Sequence, residues 1–143
     1  MVKIQSTVLA VDPGSMKCGL AVVSGEMVRW KQVVKLSDFD QAVTRLCTEY
    51  TVSVIVIGDG TNSKNILSRL TMLLKIPIFT VDEEKSSLEG RYRFLKENSR
   101  GLSRLLPVGL RVPHKPYDDY VAVVLAERFL KKNPNFSPEQ PIL

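Results

Sequence analysis

Asp12 closes an apolar run, Thr7-Val8-Leu9-Ala10-Val11, and is followed at once by Pro13-Gly14-Ser15. A carboxylate that ends a buried strand in a tight turn is costly to desolvate unless a cation meets it. Other acids sit at comparable places. Asp59 lies between Gly58 and Gly60 after a second apolar run, Asp82-Glu83-Glu84 follow a third, and Asp118-Asp119 open the last helical pattern. Carboxylates gathered from separate segments repel one another, and hard divalent cations such as Mg²⁺ or Mn²⁺, which prefer oxygen ligands, compensate that repulsion. Two such ions about 3.5–4 Å apart support in-line phosphodiester hydrolysis. Taken singly, Asp59 also suits a turn, Glu83 and Glu84 also suit a helix start, and Asp118 and Asp119 also suit a helix cap.

The elements that must bring these acids together are readable from periodicity. Residues 7–12, 18–24 and 27–34 form three consecutive strand patterns rich in β-branched and aliphatic residues. Ser24-Gly25-Glu26 makes the second connection a short hairpin. From Ser37 to Tyr50 the period becomes helical, with Phe39, Ala42, Val43, Leu46 and Cys47 on one face and Ser37 with Asp40 resembling a capping box. Residues 52–57 read as a strand buried on both sides. A helix carrying Ile66, Leu67, Leu70, Leu73 and Leu74 follows, then a strand over 76–81 and a helix over 86–97. Residues 98–116 read as a basic loop with one short helical turn near 103–106. The last helix starts near Tyr117, buries Val121, Val124, Leu125 and Phe129, and ends at Lys131-Lys132.

This order predicts an α/β fold. Its mixed five-stranded sheet has three antiparallel strands, then parallel ones, with helices on both faces. Parallel strands place their C-terminal ends on one edge, where open α/β sheets carry their sites. Adjacent strands are about 4.8 Å apart, so acids from two or three of them can meet there. Asp59 is on this ground a candidate metal ligand beside Asp12.

The totals narrow the partners. The chain of 143 residues, 44% hydrophobic, suits one domain over 1–132 with a flexible tail over 133–143. No apolar stretch approaches the roughly 20 residues of a membrane helix, and Met1 to Gln5 lack a secretory pattern, so a cytoplasmic protein without membrane contact is expected. Cys18 and Cys47 have no metal-ligand spacing and are expected as free buried thiols. The net charge is +5, and it is uneven. Between Lys85 and Lys115 stand Lys85, Arg91, Arg93, Lys96, Arg100, Arg104, Arg111 and Lys115 against only Glu89 and Glu97. That excess is what a phosphate backbone would attract, although a solvated helical face would also produce it. Lys17, Lys85, Arg91, Arg93, Arg111, His114 and Lys115 are therefore candidate nucleic-acid contacts. Tyr92, Phe94 and Tyr117 could stack on bases, with core packing the alternative for Phe94. His114, the only histidine, could pass a proton to a leaving group. The stretch from Gly58 to Ser63 could cradle a phosphate at a helix N-terminus, but it lacks the Gly-Lys-Ser/Thr of a P-loop.

Three stretches carry a family resemblance. Asp12-Pro13-Gly14-Ser15-Met16-Lys17-Cys18-Gly19-Leu20-Ala21 resembles the first motif of the YqgF/RuvX family, D-x-G-x-x-[RK]-x-G-x-A, and its start is also similar to RuvC-type Holliday junction resolvases. Val81 to Glu89 resembles the second motif, D-E-R-x-[ST]-T-x-E-A, with Glu84 in place of the arginine. Asp118-Asp119 before an alanine-bearing helix resembles the third. Gly58-Asp59-Gly60-Thr61 is closer to the YqgF-like domain of Tex transcription-associated proteins. The resemblance implies an RNase H-like fold and a metal-dependent nuclease acting on branched DNA or on the 5′ end of 16S ribosomal RNA precursor. It implies Asp12, Glu83 and Asp118 as catalytic metal ligands, with Asp119 the alternate for Asp118, and two Mg or Mn ions as cofactor. Implied partners are nucleic acid, a ribosome-assembly or transcription complex, and a second copy for symmetric junction cutting. The alternative is a non-catalytic nucleic-acid-binding module. Actin-like and sugar-kinase-like ATPases also open on Asp-x-Gly, but 143 residues are expected to be too few for their two domains.

Overall fold

The computed structural model describes residues 6–99 and 101–133. The N-terminal residues before Ser6 and the predicted tail beyond Asn133 lie outside them. In chain order the elements are β1 (Thr7–Asp12), β2 (Lys17–Ser24), β3 (Met27–Lys35), α1 (Phe39–Glu49), β4 (Val54–Gly58), α2 (Ser63–Leu73), β5 (Ile78–Val81), α3 (Ser86–Asn98) and α4 (Asp118–Lys132). The sheet order is β3-β2-β1-β4-β5. β2 runs antiparallel to both β1 and β3, whereas β1, β4 and β5 are parallel. Gly25, at φ 59°, makes the tight turn between β2 and β3 that an L-residue would resist.

Both faces of the sheet are covered, which is why β1, β2 and β4 are apolar without alternation. Leu9, Val11, Leu20, Val22, Ile55 and Ile57 point to one side and meet Phe39, Val43 and Leu46 of α1 and Ile66 and Leu70 of α2. Half-buried Trp30 packs on this side too. The intervening residues, Val8, Ala10, Ala21, Val23, Val54 and Val56, face α4, the period-two consequence of the strand pleat. Alanines on both partners, Ala10 and Ala21 against Ala122 and Ala126, let α4 lie close to the sheet. α3 then packs on α4 through Phe94, Leu95 and Tyr120.

Several local expectations are corrected. β4 starts at Val54 rather than at residue 52, because Val52 still donates its N–H to Cys47 at the end of α1. β5 starts at Ile78, since Pro77 has no N–H to give the ladder, although its carbonyl accepts from Ile55. No capping box forms at Ser37 and Asp40. Residues Leu36–Asp38 make a 3-10 turn, no side chain caps α1, and Asp40 instead pairs with Arg69 of α2 at 2.9 Å. The basic loop holds two 3-10 turns, Gly101–Leu105 and Val108–Leu110, rather than one. Cys18 and Cys47 are free and buried, as expected. Among the described residues no helix is long and apolar enough to cross a membrane.

Candidate active site

Asp12, Glu83 and Asp118 are brought together by three glycines. Asp12 pairs in register with Gly19 of β2. A Cβ on Gly19 would overlap the Asp118 carbonyl oxygen, so the missing side chain lets the first turn of α4 press on β2 beside Asp12. On the other flank, Gly58 of β4 pairs with Val81 of β5, and Glu83 lies two residues further on. The Glu83 carboxylate folds back over Gly58 and Gly60, since a Cβ on either would overlap its oxygens. The Gly60 N–H donates to that carboxylate. The cradle read from the sequence as a phosphate site is thus filled by the protein's own anion. The role of Gly58 and Gly60 in supporting Glu83 is not foreseen from the sequence; its signal is the Gly-x-Gly directly after a strand.

The backbone of Glu83 is clamped as well. Its N–H donates to Asp59 Oδ1 at 3.2 Å, and its carbonyl accepts from the Ser86 N–H at 2.9 Å and the Ser86 hydroxyl at 2.6 Å. Asp59 itself is placed by donating its own N–H to the Val81 carbonyl at 3.1 Å. Its charge acts on Glu83, and the groups that act on Asp12 are Asp118 and Glu83. Asp59 is thus tied to Glu83 through a backbone hydrogen bond and its charge.

The charges of the trio are only partly compensated, by Lys17 at Asp118 and the Gly60 N–H at Glu83. Burial, then the charges of Asp118 and Glu83, raise the Asp12 carboxyl from 3.8 to about 7. Burial also raises Glu83, with the Asp59 charge adding to it. Burial raises Asp118, and the Lys17 ammonium, 3.8 Å from its Oδ2, works in the opposite direction. Glu83 Oε2 and Asp118 Oδ2 are buried without a hydrogen-bond partner. Leaving buried acceptors unpaired costs about 1–3 kcal/mol each, more when they are charged. Asp119 is in a different state: its Oδ1 accepts from the Tyr120 N–H at 3.0 Å and its Oδ2 lies 3.9 Å from Lys31, whose ammonium sits over the Tyr120 ring. Of the Asp-Asp pair, Asp118 is the member within the field of Asp12.

The donor set fits a hard divalent cation by its chemistry, since it is all oxygen, excess in charge and has two unpartnered oxygens. Among the described residues, however, no three His, Cys, Asp or Glu side chains already surround one point closely enough to hold a metal ion. A cation would have to draw the carboxylates inward.

The candidate nucleic-acid contacts fall into two groups. Arg93 makes two hydrogen bonds to Glu127, at 2.7 and 2.6 Å. Arg91 donates to the Arg111 carbonyl, and Arg111 donates to the carbonyls of Leu106, Leu95 and Arg104. These three arginines serve the fold itself. Lys17, Lys85, His114 and Lys115 are exposed. Lys85 occupies a left-handed position, φ 60°, just before α3. The His114 ring lies 5.3 Å from that of Phe94, and the Lys115 ammonium 5.9 Å from the same ring. Phe94 is fully buried and packs the core instead of offering itself to a base.

No protein-family model matches the sequence, and no curated protein matches it. Solved structures do. Thermus thermophilus RuvC, in complex with Holliday junction substrate, aligns over 88% of this chain and 95% of its own, with a TM-score of 0.57 at 15% identity. The fowlpox virus resolvase, in complex with substrate Holliday junction DNA, aligns over 88% and 97%, with a TM-score of 0.59 at 11% identity. The yeast mitochondrial Holliday junction resolvase Ydc2 aligns over 92% and 80%, with a TM-score of 0.57 at 16% identity. The fold is RuvC-like. This bears out the expected RNase H-like sheet, with three antiparallel strands leading into parallel ones. In this RuvC-like sheet, Asp12, Gly58 and Val81 close the three parallel strands, so the acids stand on the edge where open α/β sheets keep their sites.

Proposed function

We propose that this RuvC-like chain is a divalent-metal-dependent nuclease that hydrolyses phosphodiester bonds in branched DNA. The observation that carries the reading is the placement of Asp12, Glu83 and Asp118 at one sheet edge, where the charges of Asp118 and Glu83 bear on buried Asp12 and two buried carboxylate oxygens lack a hydrogen-bond partner. Mg²⁺ or Mn²⁺ held there, in one or two sites, would supply an activated water and a Lewis acid for the scissile phosphate. The chain's own residues do the rest. Asp12, whose carboxyl burial and neighbouring charges raise to about 7, would hold a bound cation in its deprotonated form. Asp59 and Ser86 hold the backbone of Glu83 in place. Lys17 balances Asp118 and offers a cation toward an incoming phosphate. Exposed Lys85, His114 and Lys115 would contact the phosphate backbone, and His114 is the available proton carrier.

The order of the three motifs supports a YqgF/RuvX-type assignment, and with it structured RNA, including a 16S precursor, as the second substrate class. On this reading residues 1–132 form one domain, the protein is cytoplasmic, and two copies act on a symmetric junction. A non-catalytic nucleic-acid-binding role is favoured by one observation, the lack of a preformed three-donor cluster among the described residues. The test is cleavage of a synthetic four-way junction, a linear duplex, a single strand and an rRNA precursor in Mn²⁺. Cleavage that Asp12→Asn abolishes while binding survives is the expected result. Salt-sensitive binding without turnover of any substrate would establish the non-catalytic role instead.

A further inference from the structure

The segment between α3 and α4 holds large apolar side chains in water. Leu102 is 83% exposed, Leu105 82%, Leu110 67% and Val112 81%. The segment is not loose chain. Arg111 donates to the Leu106, Leu95 and Arg104 carbonyls at 3.0, 3.4 and 3.2 Å, Arg91 donates to the Arg111 carbonyl at 2.8 Å, and Arg104 donates to the Ser99 carbonyl at 3.0 Å. Three guanidinium groups thus fix the backbone from within and leave the leucines facing outward. Burying them against the domain would be favourable, so their display forgoes stability.

Charge identifies what covers them. From Gly101 to Tyr117 the chain has the cations Arg104, Arg111 and Lys115 and no acidic residue. In a two-fold contact with a second copy this surface would face itself, cation against cation. A polyanion with an apolar interior suits it better, and the segment leads directly into Asp118. Apolar side chains backed by cations are the means by which proteins unstack DNA base steps. RNA recognition relies more on aromatic stacking and contacts to the 2′-hydroxyl, which Leu and Val cannot make.

We propose that Leu102, Leu105, Leu110 and Val112 form an apolar wedge that inserts between base steps at the branch point of DNA. The inference rests on the nuclease reading for its substrate class and adds how that substrate is recognised. The experiment uses a four-way DNA junction with 2-aminopurine at the branch or in mid-arm, mixed with the full chain in Ca²⁺ to hold back cleavage. Wild type raises fluorescence at the branch and not in mid-arm. Leu102→Ser/Leu105→Ser and Leu110→Ser/Val112→Ser lose that rise and bind the junction about tenfold more weakly, with linear-duplex affinity kept. These positions are exposed, so folding is retained and is checked by circular dichroism. An equal rise in wild type and variants overturns the wedge and leaves the nuclease reading standing. So does a variant that changes only the oligomeric state by light scattering, which would make the surface a self-contact. A response from an equivalent RNA junction alone overturns the choice of DNA. Failure of wild type to bind any nucleic acid overturns both proposals.

Discussion

Arg93 spends two hydrogen bonds on Glu127 and Arg111 spends three on backbone carbonyls, whereas Glu83 and Asp118 each keep a buried oxygen with no hydrogen-bond partner. By composition the arginine-rich stretch was the louder signal, eight basic residues against two acidic ones. The structure reverses that ranking. Side chains whose bonds are all met inside the domain are scaffolding, however charged. Carboxylates held together at a cost, with oxygens that lack a hydrogen bond inside the domain, await something from outside.

This contrast can be broken most forcefully at Asp12. Its carboxyl titrates at about 7 in the folded chain and at 3.8 when unperturbed. The native state therefore holds this proton more tightly than the unfolded chain does. The group favours folding at low pH, and that contribution is lost as pH rises from about 4 through about 7. At about 1.4 kcal/mol per unit the shift is worth on the order of 4 kcal/mol. Asp12→Asn, which mimics the protonated form, is expected to unfold at a higher temperature than wild type at pH 8 without metal. The advantage shrinks towards zero near pH 4. Calorimetric melts across this range that show Asp12→Asn no more stable at pH 8 would mean the site is not under the repulsion described.

A second, smaller effect tests the glycine cradle. Gly60→Ala places a methyl group on the Glu83 carboxylate and is expected to lower metal-dependent cleavage about 10–100-fold, the usual consequence of displacing a supported ligand. Thermal stability should change much less. Normal turnover by Gly60→Ala would show that the position of Glu83 is not critical. The smallest effects separate the two kinds of cation. Arg93→Ala is expected to cost about 1 kcal/mol of stability, while Lys115→Ala leaves stability alone and reduces the slope of log affinity against log salt by about one. Identical binding slopes for both variants would erase the distinction between scaffold and contact.

Much of this was legible in the sequence because the physics behind it is local. Runs such as Val54 to Ile57 have no polar alternation, and only a strand covered on both faces tolerates that. Strand order then fixes where Asp12, Asp59 and Glu83 emerge. Long-range choices were not legible. Asp40 prefers Arg69, 29 residues away, to its own helix end. Gly58 and Gly60 accept a carboxylate from the next strand's loop rather than a phosphate. Asp118 and Asp119 look interchangeable in sequence, but a helix turn of one residue sends one towards Asp12 and the other to Lys31.

The central claim, that the carboxylates at this sheet edge form a divalent-cation site, is tested most directly by calorimetric titration of Mn²⁺ into the metal-free protein at pH 7 in two buffers of different ionisation enthalpy. The account predicts saturable binding to wild type whose heat depends on the buffer, because Asp12 releases its proton, and no such binding to Asp12→Asn. Equal heats from the two proteins, or no saturable binding to wild type, would contradict it.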